Sequence, residues 1–255
     1  LQEVSKEGLI PLSRIRLSQF YGIELDDFAH EVAILSLWLA EHQMNMKFKA
    51  TFGHCNPALP LKSSGNVVCD NAAQADWIKV CPHAENSETF IIGNPPYLGA
   101  RQQNKEQKED IYSVFGEQKG VSDLDYIAIW FQKAGDYIRN QQARYAFVST
   151  NSITQGVQVA TLWPKVLGQE LEIFFAHTSF KWQNNAKKNA AVICVVIGLR
   201  NISNREKFIY SEGMKMEAES INGYLAAAGN LYVSSRKTPL ANLPPINYGS
   251  FALDD

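Results

Sequence analysis

The sequence predicts an α/β fold built on a doubly wound, mostly parallel sheet that finishes in an antiparallel pair. Short apolar runs of strand length alternate with longer segments of helical periodicity. Two further strand-like runs then follow one another, joined by a polar connection instead of a helix. Finally, Glu24, Asp70 and Asn94 each stand where an apolar run stops, and open α/β sheets bind their ligands at such strand ends.

Phe20 to Leu25 reads as a short strand, and Asp26 and Asp27 can cap a helix whose apolar positions Val32, Leu35 and Leu39 continue to about Met46. A polar stretch with Gly and Pro runs from Thr51 to Ser64. Val67 and Val68 form a second strand, ending at Asp70 and Asn71. Phe90 to Gly93 is a third, stopped by Asn94-Pro95-Pro96-Tyr97. Leu98 to Val121 is a long polar segment rich in Gln, Lys and Glu. Asp123 to Ile138 has helical spacing through Leu124, Ile127, Trp130, Phe131 and Ala134. Arg144 to Thr150 is a strand, Thr161 to Leu167 a short helix, and Leu171 to His177 and Ala190 to Leu199 are the closing strands. After Arg200 the segments shorten and Gly, Asn, Ser and Pro scatter, which places a domain boundary near residue 200: a core over 1–200, then a linker and the start of a second domain over 201–255.

The chain has 255 residues, 45% hydrophobic and 20% charged, which suits a folded domain and not a disordered one. Its net charge of -2 argues against a protein coated in nucleic acid over its whole surface, but leaves room for a local basic groove. No apolar run spans a bilayer and no signal peptide opens the chain, so the expectation is a cytoplasmic protein with no membrane partner. Cys55, Cys69, Cys81 and Cys194 form no C-x-x-C pair, so free thiols and no metal are expected. A start at Leu1 suggests a piece cut from something larger.

The sharpest motif is Ile91-Ile92-Gly93-Asn94-Pro95-Pro96-Tyr97. Two prolines fix successive φ angles and keep the preceding residue extended, which makes a stiff exit from a buried strand. A strand-ending turn is the plain alternative. The motif resembles the Asn-Pro-Pro-Tyr signature of amino-methyltransferases, which act on adenine N6, cytosine N4 or glutamine amides. An exocyclic amine is a poor nucleophile because its lone pair is delocalised. Two fixed acceptors, the Asn94 side-chain oxygen and the Pro95 carbonyl, favour a pyramidal nitrogen aimed at a methyl donor. Pro96 stiffens the turn, and Tyr97 is placed to stack on a base that has left the duplex.

Gly22-Ile23-Glu24-Leu25-Asp26 puts an acid where Rossmann-like sites hold ribose hydroxyls. The resemblance gives Asp70 and Asn71 the place of contact with the cofactor adenine, although an Asp that caps a turn fits as well. The run Thr178 to Lys188 carries two aromatics in a polar setting. By the same resemblance it supplies a second base-stacking ring, Trp182 in preference to Phe180, with Lys181, Lys187 and Lys188 near DNA phosphates.

The order of these elements, with Tyr145 to Ser152 and the helix segment Ala40 to Asn45, resembles gamma-group DNA adenine methyltransferases. More narrowly it is similar to the methylase portion of MmeI-type single-chain restriction–modification enzymes, from about Ser18 to Leu199. Thr238 to Asp255 resembles the opening of that family's target-recognition domain. The resemblance implies a Rossmann-like fold that uses S-adenosylmethionine, methylates N6 of a flipped adenine in double-stranded DNA, and shares its full-length chain with a recognition domain and, in some members, a nuclease. Such enzymes carry a Gly-rich loop one strand and helix before the acid; none precedes Glu24 here, so the fold is expected to be truncated on its N-terminal side. Protein glutamine methylation and a non-catalytic DNA-binding fragment are the alternatives.

Overall fold

A computed structural model describes residues 15–54, 66–181 and 192–234. Strand β1 (Tyr21–Glu24) leads into helix α1 (Asp27–Phe52), capped by the Asp26 carboxylate, which accepts the Ala29 N–H at 2.8 Å. The helix runs past the expected end near Met46 to Gly53, whose φ of 80° turns the chain. β2 (Asn66–Cys69) lies parallel to β1, and the Asp70 N–H closes the pair on the Glu24 carbonyl at 2.9 Å. A single turn, α2 (Trp77–Val80), precedes β3 (Thr89–Gly93).

Two helical expectations are corrected. The polar stretch from Leu98 to Val121 contains a helix, α3 (Lys105–Phe115), started by a reciprocal cap between Asn104 and Gln107. Only Asp110, Ile111 and Phe115 of α3 are buried, so its apolar stripe is too thin to stand out in the sequence. The helix expected over Asp123–Ile138 is broken: a 3-10 turn at Val121–Asp123 is followed by α4 (Ala128–Ile138). The Asp125 carboxylate accepts backbone N–H groups and holds this segment out of the helix.

β4 (Ala143–Thr150) follows, then α5 (Gly156–Leu167), which starts earlier than the expected Thr161. β5 (Leu171–Lys181), β6 (Ile193–Asn201), β7 (Lys207–Ser211) and β8 (Met214–Ala218) complete the order. Thr178 to Lys181 therefore belongs to a strand and not to the expected polar loop.

The large sheet runs β3-β4-β6-β5-β7-β8, with β3 parallel to β4 and β5 parallel to β7. The antiparallel end is present: β6 pairs antiparallel with both β4 and β5, and β8 with β7. β1 and β2 form a separate pair, and among the described residues no strand bridges β1 to β3. Apolar side chains are open in both parts: Ile92 of β3 is 83% exposed, Phe28 of α1 is 77% exposed, and α1 buries none of its residues.

The core lies on the other side of the large sheet, between β4, β6, α4 and α5. Phe131 meets Tyr145, Phe147 and Trp163 edge-on, with ring centroids 5.4–6.0 Å apart. The Tyr145 hydroxyl and the Trp163 indole N–H, both buried, donate to the Phe131 and Ile153 carbonyls. The sheet does not stop at the boundary expected near residue 200. Lys207 of β7 and Arg200 of β6 share Glu172 of β5, at 3.2 and 2.8 Å. Beyond β8, Ile221 and Leu225 join the same core, and Gly223 packs so closely on Trp163 that a Cβ there would sit 2.4 Å from the ring. Among the described residues no helix is long and apolar enough to cross a membrane.

Candidate active site

β1, β2 and β3 all finish on an expected polar residue, because each apolar run ends where the chain leaves its sheet: Glu24 closes β1, Asp70 follows β2 and Asn94 follows β3. The Glu24 side chain is half-buried, and one of its oxygens accepts the Leu25 N–H at 3.1 Å. Asp70 is exposed and accepts the Asn71 N–H at 2.7 Å. The Asn71 side chain accepts the Ala73 N–H at 2.9 Å, while its carbonyl accepts from Gln74 and Ala75. Asp70 and Asn71 therefore build a tight, ordered loop just beyond β2.

Residues of α3 and α4 fasten that loop from below. The Lys133 ammonium donates to the Ala73 and Ala75 carbonyls at 2.9 and 2.6 Å and lies 5.8 Å from the Trp77 ring. Burial pulls the Lys133 pKa down, against the nearby charges of Asp76, Asp110 and Asp70. Asp110 is buried and takes the Gln74 amide at 2.9 Å on one oxygen and the Tyr126 hydroxyl at 2.7 Å on the other. Burial, then Asp110, raises the Tyr126 pKa well above the ordinary phenol range.

At the end of β3, Asn94 is exposed, Pro95 buried, Pro96 exposed and Tyr97 half-buried. The motif thus presents its amide outward while Pro95 anchors the turn. The Tyr97 hydroxyl lies near the buried Cys194 thiol, and burial raises both pKa values. Cys194 sits in β6, directly opposite Thr150 of β4 on one side and Phe180 of β5 on the other. Directly opposed antiparallel residues share a face, so Phe180, one of the two expected stacking rings, lies on the same sheet face as Cys194. Trp182, Lys187 and Lys188 lie outside the described residues, and Lys181 is exposed at the end of β5.

The residue after Tyr97 is held on both sides of its peptide. The Leu98 N–H donates to the Asp125 carboxylate at 2.9 Å. The Leu98 carbonyl accepts from the Tyr126 N–H at 3.0 Å and from the Gln103 amide at 2.8 Å. Sequence reasoning missed Asp125, Tyr126, Gln103, Asp110, Lys133 and Cys194. The one available signal was a carboxylate, Asp125, inside an otherwise apolar run.

Residues 2–211 match the family described as MmeI, DNA-methyltransferase domain. The chain belongs to this family. The MmeI methyltransferase match ends at Ser211, the last residue of β7, so it too extends past residue 200. Along its whole length the chain is 45% identical to a protein named DNA methyltransferase A from Bacillus subtilis (strain 168), of which it covers 29%. Among solved structures it is similar to the Type IIL restriction-modification enzyme MmeI in complex with DNA, with a TM-score of 0.83 and 43% identity over 90% of this chain and 31% of that one. The chain thus spans less than a third of the length of these relatives.

Proposed function

We propose that this chain is the catalytic portion of a DNA methyltransferase in a restriction–modification protein, moving a methyl group from S-adenosylmethionine to N6 of an adenine flipped out of double-stranded DNA. The observation that carries this reading is the exposed Asn94 at the carboxyl end of β3, beside a half-buried Tyr97 that lies near Cys194, the β6 residue opposite Phe180. Two relatives with more than 40% identity, one a DNA methyltransferase by name and one a restriction–modification enzyme held on DNA, favour DNA over a protein glutamine as substrate.

The residues present fit the cofactor. Glu24 offers a carboxylate at the end of β1 for ribose hydroxyls, and the ordered Asp70-Asn71 loop beyond β2 offers acceptors for an adenine amine. Bound S-adenosylmethionine supplies a sulfonium methyl group, an electrophile that needs no activation by the protein. The Asn94 oxygen and the Pro95 carbonyl accept the two amine hydrogens of the target base and turn its lone pair out of the ring plane. Tyr97 and Phe180 hold the base by its faces, so rate comes from positioning and fixed dipoles and not from a strong base. Lys181, at the end of β5, together with Lys187 and Lys188 is assigned to DNA phosphate, and Trp182 is the other candidate ring for the base.

The unpaired edge of β3, with Ile92 exposed, and the exposed apolar residues of α1 suit a covering strand, helix and Gly-rich loop of the kind this family uses against the methionine part of the cofactor. The recognition region begins beyond the strands of the core, with any nuclease elsewhere on the full-length chain. The test is to incubate the full-length protein with labelled S-adenosylmethionine and either duplex DNA or a protein bearing an acceptor glutamine, then digest and identify the product. N6-methyladenine is expected; label in the protein alone refutes the reading.

A further inference from the structure

Buried carboxylates are costly unless every oxygen is given donors, so one beside a candidate active site calls for an account. Asp125 is 4% exposed, lies within an apolar segment, and touches neither Asn94 nor Tyr97 through any hydrogen bond described above. Its Oδ1 accepts the N–H of Leu98 at 2.9 Å and of Ile127 at 3.3 Å, and its Oδ2 accepts the Ser152 hydroxyl at 3.3 Å. Ser152 is itself hydrogen-bonded at 2.7 Å to Thr150, the last residue of β4. Asp125 thereby joins the start of α4, the end of β4 and the peptide immediately after Tyr97.

The next residue acts in two directions. The Tyr126 backbone N–H holds the Leu98 carbonyl, whereas its hydroxyl donates to Asp110 of α3, whose other oxygen takes the Gln74 amide of the loop beyond β2. Two consecutive residues therefore fasten the loop that carries the base-stacking tyrosine and the loop assigned to the cofactor adenine to one rigid point at the head of α4.

We propose that Asp125 and Tyr126 are positioning residues for methyl transfer: Asp125 fixes the Asn94–Tyr97 turn by gripping the Leu98 peptide, and Tyr126 couples that turn to the cofactor loop. The proposal rests on reading the site as a methyltransferase. Neither side chain contacts the reacting atoms. Their effect is to hold Asn94 and Tyr97 within tenths of an ångström, where a displacement of about 1 Å costs on the order of 100-fold in rate.

The experiment uses the full-length protein and three variants, Asp125→Ala, Asp125→Asn and Tyr126→Phe. It reads single-turnover methyl transfer to duplex DNA, the affinity for S-adenosylmethionine by calorimetry, and hydrogen exchange over residues 97–99. Asp125→Ala is expected to slow single turnover by about 30-fold or more per cofactor-binding site, to leave cofactor affinity within about three-fold, and to speed exchange at Leu98. Asp125→Asn keeps an acceptor for Leu98 and restores most of the rate. Tyr126→Phe raises KM for S-adenosylmethionine more than it lowers kcat. If Asp125→Ala loses rate only in proportion to the folded protein lost, or leaves Leu98 exchange unchanged, the proposal is overturned. Should Asp125→Ala fail to fold, Tyr126→Phe decides alone, and equal changes in kcat and KM or no change in either overturn it. If the unmodified protein methylates no DNA, the methyltransferase reading fails; faster Leu98 exchange in Asp125→Ala then still supports the clamp, and unchanged exchange overturns it.

Discussion

Lys133→Met isolates what the loop beyond β2 owes to one half-buried cation. Methionine keeps an unbranched stem beside Trp77 but removes the donor to the Ala73 and Ala75 carbonyls, now held at 2.9 and 2.6 Å. A hydrogen bond from a charged donor contributes about 1.5–3 kcal/mol, and two of them, less the cost of burying the ammonium, give a net loss of about 1–3 kcal/mol. For a domain of this size each kcal/mol moves Tm by about 2–4 °C, so Tm should fall by roughly 2–12 °C. The affinity of the full-length protein for S-adenosylmethionine should drop as well, because Asp70 and Asn71 sit on the loosened loop. Thermal unfolding followed by circular dichroism at neutral pH, with a cofactor titration alongside, reads both. A Tm unchanged to within roughly 1 °C, where about 1–3 kcal/mol is expected, would refute the assignment of Lys133 as the loop's anchor.

The remaining predictions concern the core and its titration. Tyr97, Tyr126, Tyr137 and Tyr145 all have pKa values raised from 10.0, chiefly by burial. The folded protein holds these protons where the unfolded chain has lost them, so stability is whole below pH 10 and falls as pH climbs through the folded values. Lys133, lowered from 10.5, works in the opposite sense and only partly offsets the fall. Urea midpoints measured from pH 8 to 11.5 should decline above pH 10, and Tyr126→Phe should flatten the slope by up to about 1.4 kcal/mol per pH unit; a flat profile contradicts this. Glu172→Ala leaves the Arg200 and Lys207 cations without their shared carboxylate, at 12% exposure, and should cost about 3–5 kcal/mol in urea unfolding. A cost below about 1 kcal/mol would mean that β7 is not fastened to β5 in solution as described.

Local pattern made much of this molecule readable from sequence. β1, β2, β3 and β4 are apolar runs that stop on Glu24, Asp70, Asn94 and Asn151, and the proline pair after Asn94 fixes the turn whatever packs around it. What stayed hidden depends on partners distant along the chain. Asp125 and Leu98 are 27 residues apart, and Lys133 and Ala73 are 60 apart, so no periodicity could join them. Helix α3 escaped notice because its capping box precedes a segment that is mostly polar and buries only one edge. The change of composition after Arg200 stands out because β7 and β8 are short and β8, the edge strand, leaves four of its five residues exposed. Phe180 could be placed on the sheet face of Cys194 only once the pairing of β5 with β6 set the two opposite each other.

Asn94→Ala in the full-length protein tests the central claim most directly. Methyl transfer to duplex DNA under single-turnover conditions should fall by at least about 100-fold, the scale set by removing one preorganised polar group from a transition state, with DNA affinity changed by less than about three-fold. Retention of activity to within a few-fold would contradict the assignment of the Asn94 oxygen as the acceptor that readies the amine.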